Sequence, residues 1–337
     1  MAKSNRVTLK TLAQRLDVST MTVSRALNDH PDISKETKAR VLNLAKELNF
    51  RLDGIAKSLV QKRTNTIGVI FPEISHSFFP DALKGIEHVA YNNGYQIIIC
   101  HSDEKAEREQ EAILTLESKR VDGILVSIAQ DTVDPTPYYH LQNNGTPFVF
   151  FDRYLKGFNA NRVVVNDEEG ACRMVEYMIK CGYKKIAHIS GPLDVSISLD
   201  RLEGYKNALL MNKLPILEDY IVMGGFHEDL GYQAMKELLN LPDRPQAVFA
   251  VNDPAAIGAF RAIKEMGLTV PKDIALAGFA DIQTAECFEV PLTTVRQPAF
   301  EVGEKAAQLL IKKIEDKEDG DINTIEVETE LKIRKSC

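Results

Sequence analysis

The chain has 337 residues, more than one domain of common size, and its 44% hydrophobic and 26% charged content is that of an ordinary globular protein. No apolar run approaches the roughly 20 residues that a bilayer span requires, and Met1–Arg6 leads into no signal-peptide core, so the expectation is a cytoplasmic protein. The net charge of −7 divides unevenly, with +7 on residues 1–64 and −14 on the remainder, which suits a polyanionic partner for the head alone and excludes a nucleic-acid coat protein.

Thr8 can cap a first short helix whose Leu9, Leu12, Ala13 and Leu16 share a face. Only Asp17-Val18-Ser19 follows before a second helix, capped by Ser19, with Val23, Ala26 and Leu27 on its apolar side. The opposite side presents Thr20, Met21, Ser24 and Arg25: hydroxyls, a thioether and a guanidinium. Ser34 caps a third helix, in which Val41, Leu44, Ala45 and Leu48 supply the packing partner. Two brief helices joined by a tight turn form a helix-turn-helix, which lays its second helix in the DNA major groove. A plain three-helix cap on another domain gives the same pattern, and the positive charge favours the DNA reading.

Residues 51–64 form a linker in which Leu52, Ile55, Ala56 and Leu59 align as one helical stripe. A helix this short is marginal in water and forms only when something covers that stripe. From Thr66 the pattern becomes short apolar strands alternating with helices. Strands are predicted at 67–71, 95–100, 123–126 and 148–151, with helices over 80–92 and 106–119 and a shorter one before 148. The alternation restarts with helices over 166–181, 200–211 and 254–266 and strands at 185–190, 247–251 and 274–278; a helix over 300–315 and a strand over 324–332 follow. Near-continuous apolar strands separated by helices indicate parallel sheets buried on both faces. Two such sets predict two doubly wound lobes with a small-molecule cleft between them. The five cysteines lack metal spacing, and most are expected to be small core residues, with Cys337 exposed.

The motifs themselves resemble a known family. Val7-Thr8-Leu9-Lys10, Val23-Ser24-Arg25-Ala26-Leu27-Asn28, Ile33-Ser34-Lys35-Glu36-Thr37 and Ile55-Ala56-Lys57-Ser58-Leu59 are similar to the head and hinge of the lactose/galactose repressor (LacI/GalR) family of bacterial transcription regulators. In the body, Arg120-Val121-Asp122-Gly123-Ile124, Phe151-Asp152-Arg153, Gly191-Pro192-Leu193, Arg201-Leu202-Glu203-Gly204-Tyr205, Asn252-Asp253 and Pro291-Leu292-Thr293-Thr294-Val295 follow in family order.

The resemblance implies an all-α helix-turn-helix head at 1–50, a hinge helix and linker at 51–64, and a periplasmic-binding-protein-like α/β core at 65–337. Its N-terminal lobe would take about 65–165 and 296–320, and its C-terminal lobe about 166–295 and 321–337. It also implies a homodimeric repressor of a carbohydrate-use operon that reads a near-palindromic operator and is controlled by a small effector, a sugar or sugar phosphate. No enzyme activity, cofactor or metal is expected.

The DNA-contacting positions carried over are Thr8, Ser19, Thr20, Met21, Thr22, Ser24, Arg25 and Asn28 in the head and Ala56, Lys57 and Leu59 in the hinge. Arg25 can donate twice to guanine, and Leu59 matches the leucine that wedges into the minor groove. Leu52-Asp53 stands where the family has Pro-Asn, and Lys57 where it has Arg. The effector positions are Asp152, Arg201, Asn252 and Gln297, with Phe78, Phe79 and Phe226 as apolar walls. Asp281 belongs to the same set, although Gly278-Phe279-Ala280-Asp281 replaces the usual Gly-aromatic-Asp-Asp by a methyl at its third position. Val195 stands where the purine-binding branch has Arg.

Two other readings fit a two-lobed α/β body. An enzyme is disfavoured because G-x-G-x-x-G after a strand, the P-loop and G-x-S-x-G are all missing. An exported sugar-binding transport or receptor protein would carry neither the basic head nor a start without a signal peptide.

Overall fold

The structure, a computed structural model, describes residues 7–50, 63–75, 78–316 and 322–337. The chain divides into two compact units, Met1–Thr64 and Asn65–Cys337.

The first unit holds α1 (Leu9–Leu16), α2 (Thr20–Leu27) and α3 (Lys35–Glu47), each begun by the predicted hydroxyl cap. Thr8, Ser19 and Ser34 accept the backbone N–H of Thr11, Thr22 and Thr37, each cap stabilising its helix by about 1 kcal/mol. Asp17 closes α1 in the left-handed region (φ 54°), donating its N–H to Ala13. Leu12, Ala13, Val23, Ala26, Val41 and Ala45 form the small core, drawn from the three predicted stripes. The hinge positions Ala56, Lys57 and Leu59 lie outside the described residues.

In the second unit the N-terminal lobe contains β1 (Thr66–Phe71), β2 (Gln96–His101), β3 (Gly123–Val126), β4 (Phe148–Phe151), β5 (Arg162–Val165) and β11 (Thr324–Val327). They lie in the order β11-β5-β4-β3-β1-β2, every pairing parallel. Ile67, Val69 and Phe71 pack with α4 (Phe78–Asn92) and α11 (Ala299–Asp316), whereas Ile70, Phe148 and Phe150 pack with α5 (Ala106–Ser118) and α6 (Thr136–Asn143). This is the strand period of two, with both faces covered.

The C-terminal lobe repeats the plan. Its strands are β6 (Ile186–Ser190), β7 (Ile221–Met223), β8 (Ala247–Ala250), β9 (Ala275–Ala280), β10 (Thr293–Arg296) and β12 (Glu330–Lys332), ordered β12-β10-β9-β8-β6-β7, and β12 alone is antiparallel. Helices α7 (Asp167–Lys180) and α8 (Ser196–Met211) cover one face, and α9 (Glu228–Asn240) and α10 (Asp253–Glu265) the other. A Cβ on Gly258 of α10 would sit 1.8 Å from the Glu228 carbonyl oxygen, so the close approach of α9 and α10 requires glycine there.

Several expectations need correction. The predicted strand over 324–332 is two strands in different lobes: Thr324–Val327 pairs with β5 in the N-terminal lobe, and Glu330–Lys332 with β10 in the C-terminal one. The chain crosses between lobes at Glu328-Thr329, where Asn166 Oδ1 accepts from the Thr329 N–H (2.8 Å) and hydroxyl (2.7 Å). The assignment of 321–337 wholly to the C-terminal lobe is therefore wrong. The sequence reading places no element over 212–246, where β7 and α9 form, and misses β5 and β10. Of the cysteines, Cys100, Cys172 and Cys337 are half-buried and pack at the edges of the apolar cores, so Cys337 is not exposed as expected, while Cys181 and Cys287 are exposed.

Glu109 of α5 is a buried carboxylate facing only neutral donors, namely the Ala129 N–H (2.6 Å) and the hydroxyls of Thr132 (3.1 Å) and Tyr138. Burial, the largest influence, pushes its pKa up to about 7 from 4.5. The native state therefore keeps a proton that the unfolded chain releases; the stability linked to this group is full below about 4.5 and is lost as pH rises through about 7. Glu109→Gln is expected to flatten the fall in melting temperature between pH 5 and about 7.5, as measured by calorimetry. An unchanged pH profile would count against the buried proton.

Candidate functional site

Both sheets turn their carboxyl ends toward one cleft, as open parallel sheets do where they bind ligands. Glu73 follows β1, Glu104 follows β2 and Asp152-Arg153 follow β4; from the other lobe come Phe226-His227 after β7, Asn252 after β8, Ala280 at the end of β9 and Ile282 just beyond it. Phe78, Phe79, Ile197, Arg201, Pro254 and Gln297 complete the lining. Glu104 (φ 57°), Asp152 (φ 61°), Ala280 (φ 132°) and Asp281 (φ 59°) all have positive φ. Left-handed backbone at a strand end is tolerated by Asp but strained for Ala, and such strain collects at binding sites.

Arg201 is 1% exposed and fixed from two elements. Its Nε donates to Asp167 Oδ1 (2.8 Å), its Nη1 donates to the Val251 carbonyl (2.7 Å), and its Cζ lies 3.8 Å from the Phe279 ring centroid. Nη2 is 2.7 Å from the same Asp167 oxygen but off the hydrogen-bond axis, which leaves that nitrogen without a hydrogen bond. Burial pushes the Asp167 carboxyl up to about 7 against the opposing pull of Arg201.

Asp152 is likewise buried, and its carboxyl is pushed up to about 6 by burial, with Arg153 and Arg201 opposing the shift. Gln297 stands near enough to favour its charged form, yet the Gln297 Nε2 has no hydrogen bond of proper geometry. Arg153, 4% exposed, donates from Nη1 to both oxygens of Glu104 at 2.9 Å.

Seven of the eight predicted effector positions meet here: Phe78, Phe79, Asp152, Arg201, Phe226, Asn252 and Gln297. Asn252 is partly committed to the fold, since it caps α10 by accepting from the Ala255 N–H and donates to the Phe226 carbonyl, both at 2.9 Å. Asp281 does not line the cleft. Its carboxylate accepts from Arg334 Nη2 (2.7 Å), and Ala280 takes the lining position instead. Sequence reasoning missed Arg153 and Glu104 as cleft residues. Arg153 stands in the quoted Phe151-Asp152-Arg153 motif; no signal marks Glu104, which reaches the site only through the turn after β2.

In the head, Thr20, Met21 and Arg25 are exposed along α2. Ser19 and Thr22 hydroxyls lie 2.9 Å apart, Asn28 Nδ2 donates to the Ser24 carbonyl (2.9 Å), and Thr8 pairs with Thr11, so these side chains first of all hold the helix ends.

Residues 8–52 match the model of bacterial regulatory proteins of the lacI family, and residues 175–337 match that of a periplasmic binding protein-like domain. Relatives include the "Probable HTH-type transcriptional repressor ExuR" of Bacillus subtilis (strain 168), 36% identical over 98% of each chain. Another is the HTH-type transcriptional repressor PurR of Vibrio atlanticus (strain LGP32), 34% identical over 92% of this chain and 93% of that protein. Among solved structures, the Lac repressor dimer bound to operator and the anti-inducer ONPF superposes with TM-score 0.87 at 26% identity, covering 98% of this chain and 99% of that one. The transcriptional regulator CelR–cellobiose complex superposes with TM-score 0.76 at 28% identity, covering 98% and 100%.

Arg201→Met would leave Asp167 buried without its cation, which costs roughly 3–5 kcal/mol when a buried pair is broken from one side. Denaturant unfolding of the variant is expected to show a loss of that size; a loss below about 1 kcal/mol would mean that Asp167, whose carboxyl is already pushed up to about 7, is neutralised by a proton or reached by water.

Proposed function

The chain belongs to the lacI family of bacterial regulatory proteins, and from that premise we propose that it represses a carbohydrate-use operon as a cytoplasmic homodimer, releasing or gripping its operator according to a neutral sugar bound in the cleft. The observation that carries the sugar reading is a buried carboxylate, Asp152, beside the Gln297 amide, whose Nε2 has no hydrogen bond of proper geometry, in a cleft walled by Phe78, Phe79 and Phe226. A sugar hydroxyl both donates and accepts, so vicinal hydroxyls satisfy such a mixed set while the ring's C–H face lies on an aromatic side chain. Among the described residues no lysine lines the cleft, and both its arginines are already paired with carboxylates, which favours a neutral sugar over a sugar phosphate. A purine effector, the reading suggested by the PurR relatives, is disfavoured by Val195, which stands where that branch has Arg.

On the DNA side, Thr20, Met21 and Arg25 read base edges in the major groove, while Thr8, Ser19, Thr22, Ser24 and Asn28 position α2 on the backbone. The hinge residues Ala56, Lys57 and Leu59, outside the described residues, take the minor groove of a near-palindromic operator. Effector binding changes the angle between the lobes and so biases the pairing of the two hinges, a coupling of roughly 1–3 kcal/mol in typical allosteric proteins.

Arg25→Ala is expected to weaken binding to the footprinted operator by about 1–3 kcal/mol while leaving affinity for random duplex almost unchanged. Fluorescence anisotropy against both duplexes checks this, and an equal loss on both would reduce Arg25 to a phosphate contact. Operator affinity unmoved by cellobiose, D-glucose and D-galactose at millimolar concentration would count against the neutral-sugar reading.

A further inference from the structure

Phe226 lines the cleft yet is only 3% exposed. It belongs to the C-terminal lobe, following β7, but the group lying over its ring comes from the other lobe: the Arg153 guanidinium, with Cζ 4.5 Å from the ring centroid. The same guanidinium is 5.8 Å from the Phe79 centroid, so it is held between one aromatic ring from each lobe. A cation on a ring face is a favourable contact, stronger when water is excluded.

The two buried arginines of the cleft are held differently. Arg201 bonds through two nitrogens to partners on two elements, Asp167 and Val251. Arg153 is held through Nη1 alone, on the single carboxylate of Glu104, and its Nε is buried with no hydrogen bond, 3.8 Å from Asp152. A guanidinium fastened at one nitrogen can pivot about that point. The face it covers is also the kind of surface that a sugar ring stacks on, so the two cannot occupy it together.

We propose that Arg153 is a built-in competitor of the effector, its guanidinium lying on Phe226 in the empty cleft and giving up that ring face when a ligand arrives. The proposal rests on the reading of the cleft as the effector site. It makes Arg153 a specificity-determining residue: a ligand gains the Phe226 face only by matching what the guanidinium loses. It also makes the Arg153–Phe226 contact a latch between the lobes.

The chain contains no tryptophan, so Phe226→Trp in the full-length protein gives a single reporter at the site. With Arg153 present the indole should resist acrylamide quenching. In Phe226→Trp/Arg153→Ala the quenching constant is expected to rise about threefold as the face is uncovered. Arg153→Lys in the same background keeps the charge beside Glu104 but has no planar face, and should raise quenching by an intermediate amount. Cellobiose, D-glucose and D-galactose are then titrated into the reporter with and without Arg153, and a sugar that binds should half-saturate at a lower concentration without it.

Equal quenching in all three reporter proteins would overturn the proposal, because the side chain would not then cover the ring. A sugar that binds more weakly to the Arg153→Ala reporter would also overturn it, by making Arg153 a ligand contact. Raised quenching with no response to any of the three sugars would uphold the cover over Phe226 and count instead against the neutral-sugar reading of the cleft.

Discussion

Three crossings of the backbone between two parallel sheets are the constraint on which the cleft depends. They fall at Asn166, at Gln297-Pro298 and at Glu328-Thr329. Two are fastened to each other: Asn166 accepts twice from Thr329 and donates to Glu328 (2.8 Å) and Glu169 (3.0 Å). The third carries Gln297 into the cleft lining. Because each crossing leaves one lobe and enters the next without a domain-length linker, the carboxyl ends of both sheets must face each other, and residues far apart in sequence meet.

The charges at and beneath that cleft are shaped by burial. Removing a carboxylate from water costs several kcal/mol unless a partner compensates, and the raised pKa values of Asp152 and Asp167 show burial outweighing the nearby guanidiniums. Arg201 offsets part of that cost as a fixed brace inside the C-terminal lobe. Arg153 belongs to the N-terminal lobe but reaches the aromatic ring of the other. One cation thus braces a single lobe, while the other spans both, bonded to Glu104 in one and lying on Phe226 of the other. A two-lobed regulator needs both, because a shift of population requires a contact that differs between its states.

The head relies on different physics. Its core is small, so its helix ends matter more: hydroxyl caps at Thr8, Ser19 and Ser34 satisfy N–H groups that the helices leave open. Those same caps orient α2 so that Thr20, Met21 and Arg25 face outward. The side chains that could touch phosphate are therefore largely those that build the helix, and the side chains that could read bases are those the fold leaves alone.

The sequence by itself determined what local periodicity and local chemistry encode. The three head helices and their caps follow from hydroxyls placed before apolar stripes, and the buried parallel strands follow from runs such as Ile67–Phe71 and Phe148–Phe151. The resemblance supplied seven residues that the fold does bring to one cleft, although no spacing in the chain predicts that Asp152 and Arg201 will be neighbours. The tertiary structure alone decided the rest. It split the predicted strand over 324–332 between two sheets, because a chain shared by two lobes must cross and a hydrophobic pattern does not record where. It turned Asp281 onto Arg334, since a strained turn at Ala280 and an ion pair 53 residues away outweigh the position of a carboxylate in a motif. And it laid Arg153 on Phe226, a contact between lobes that exists only once both sheets have formed and faced each other.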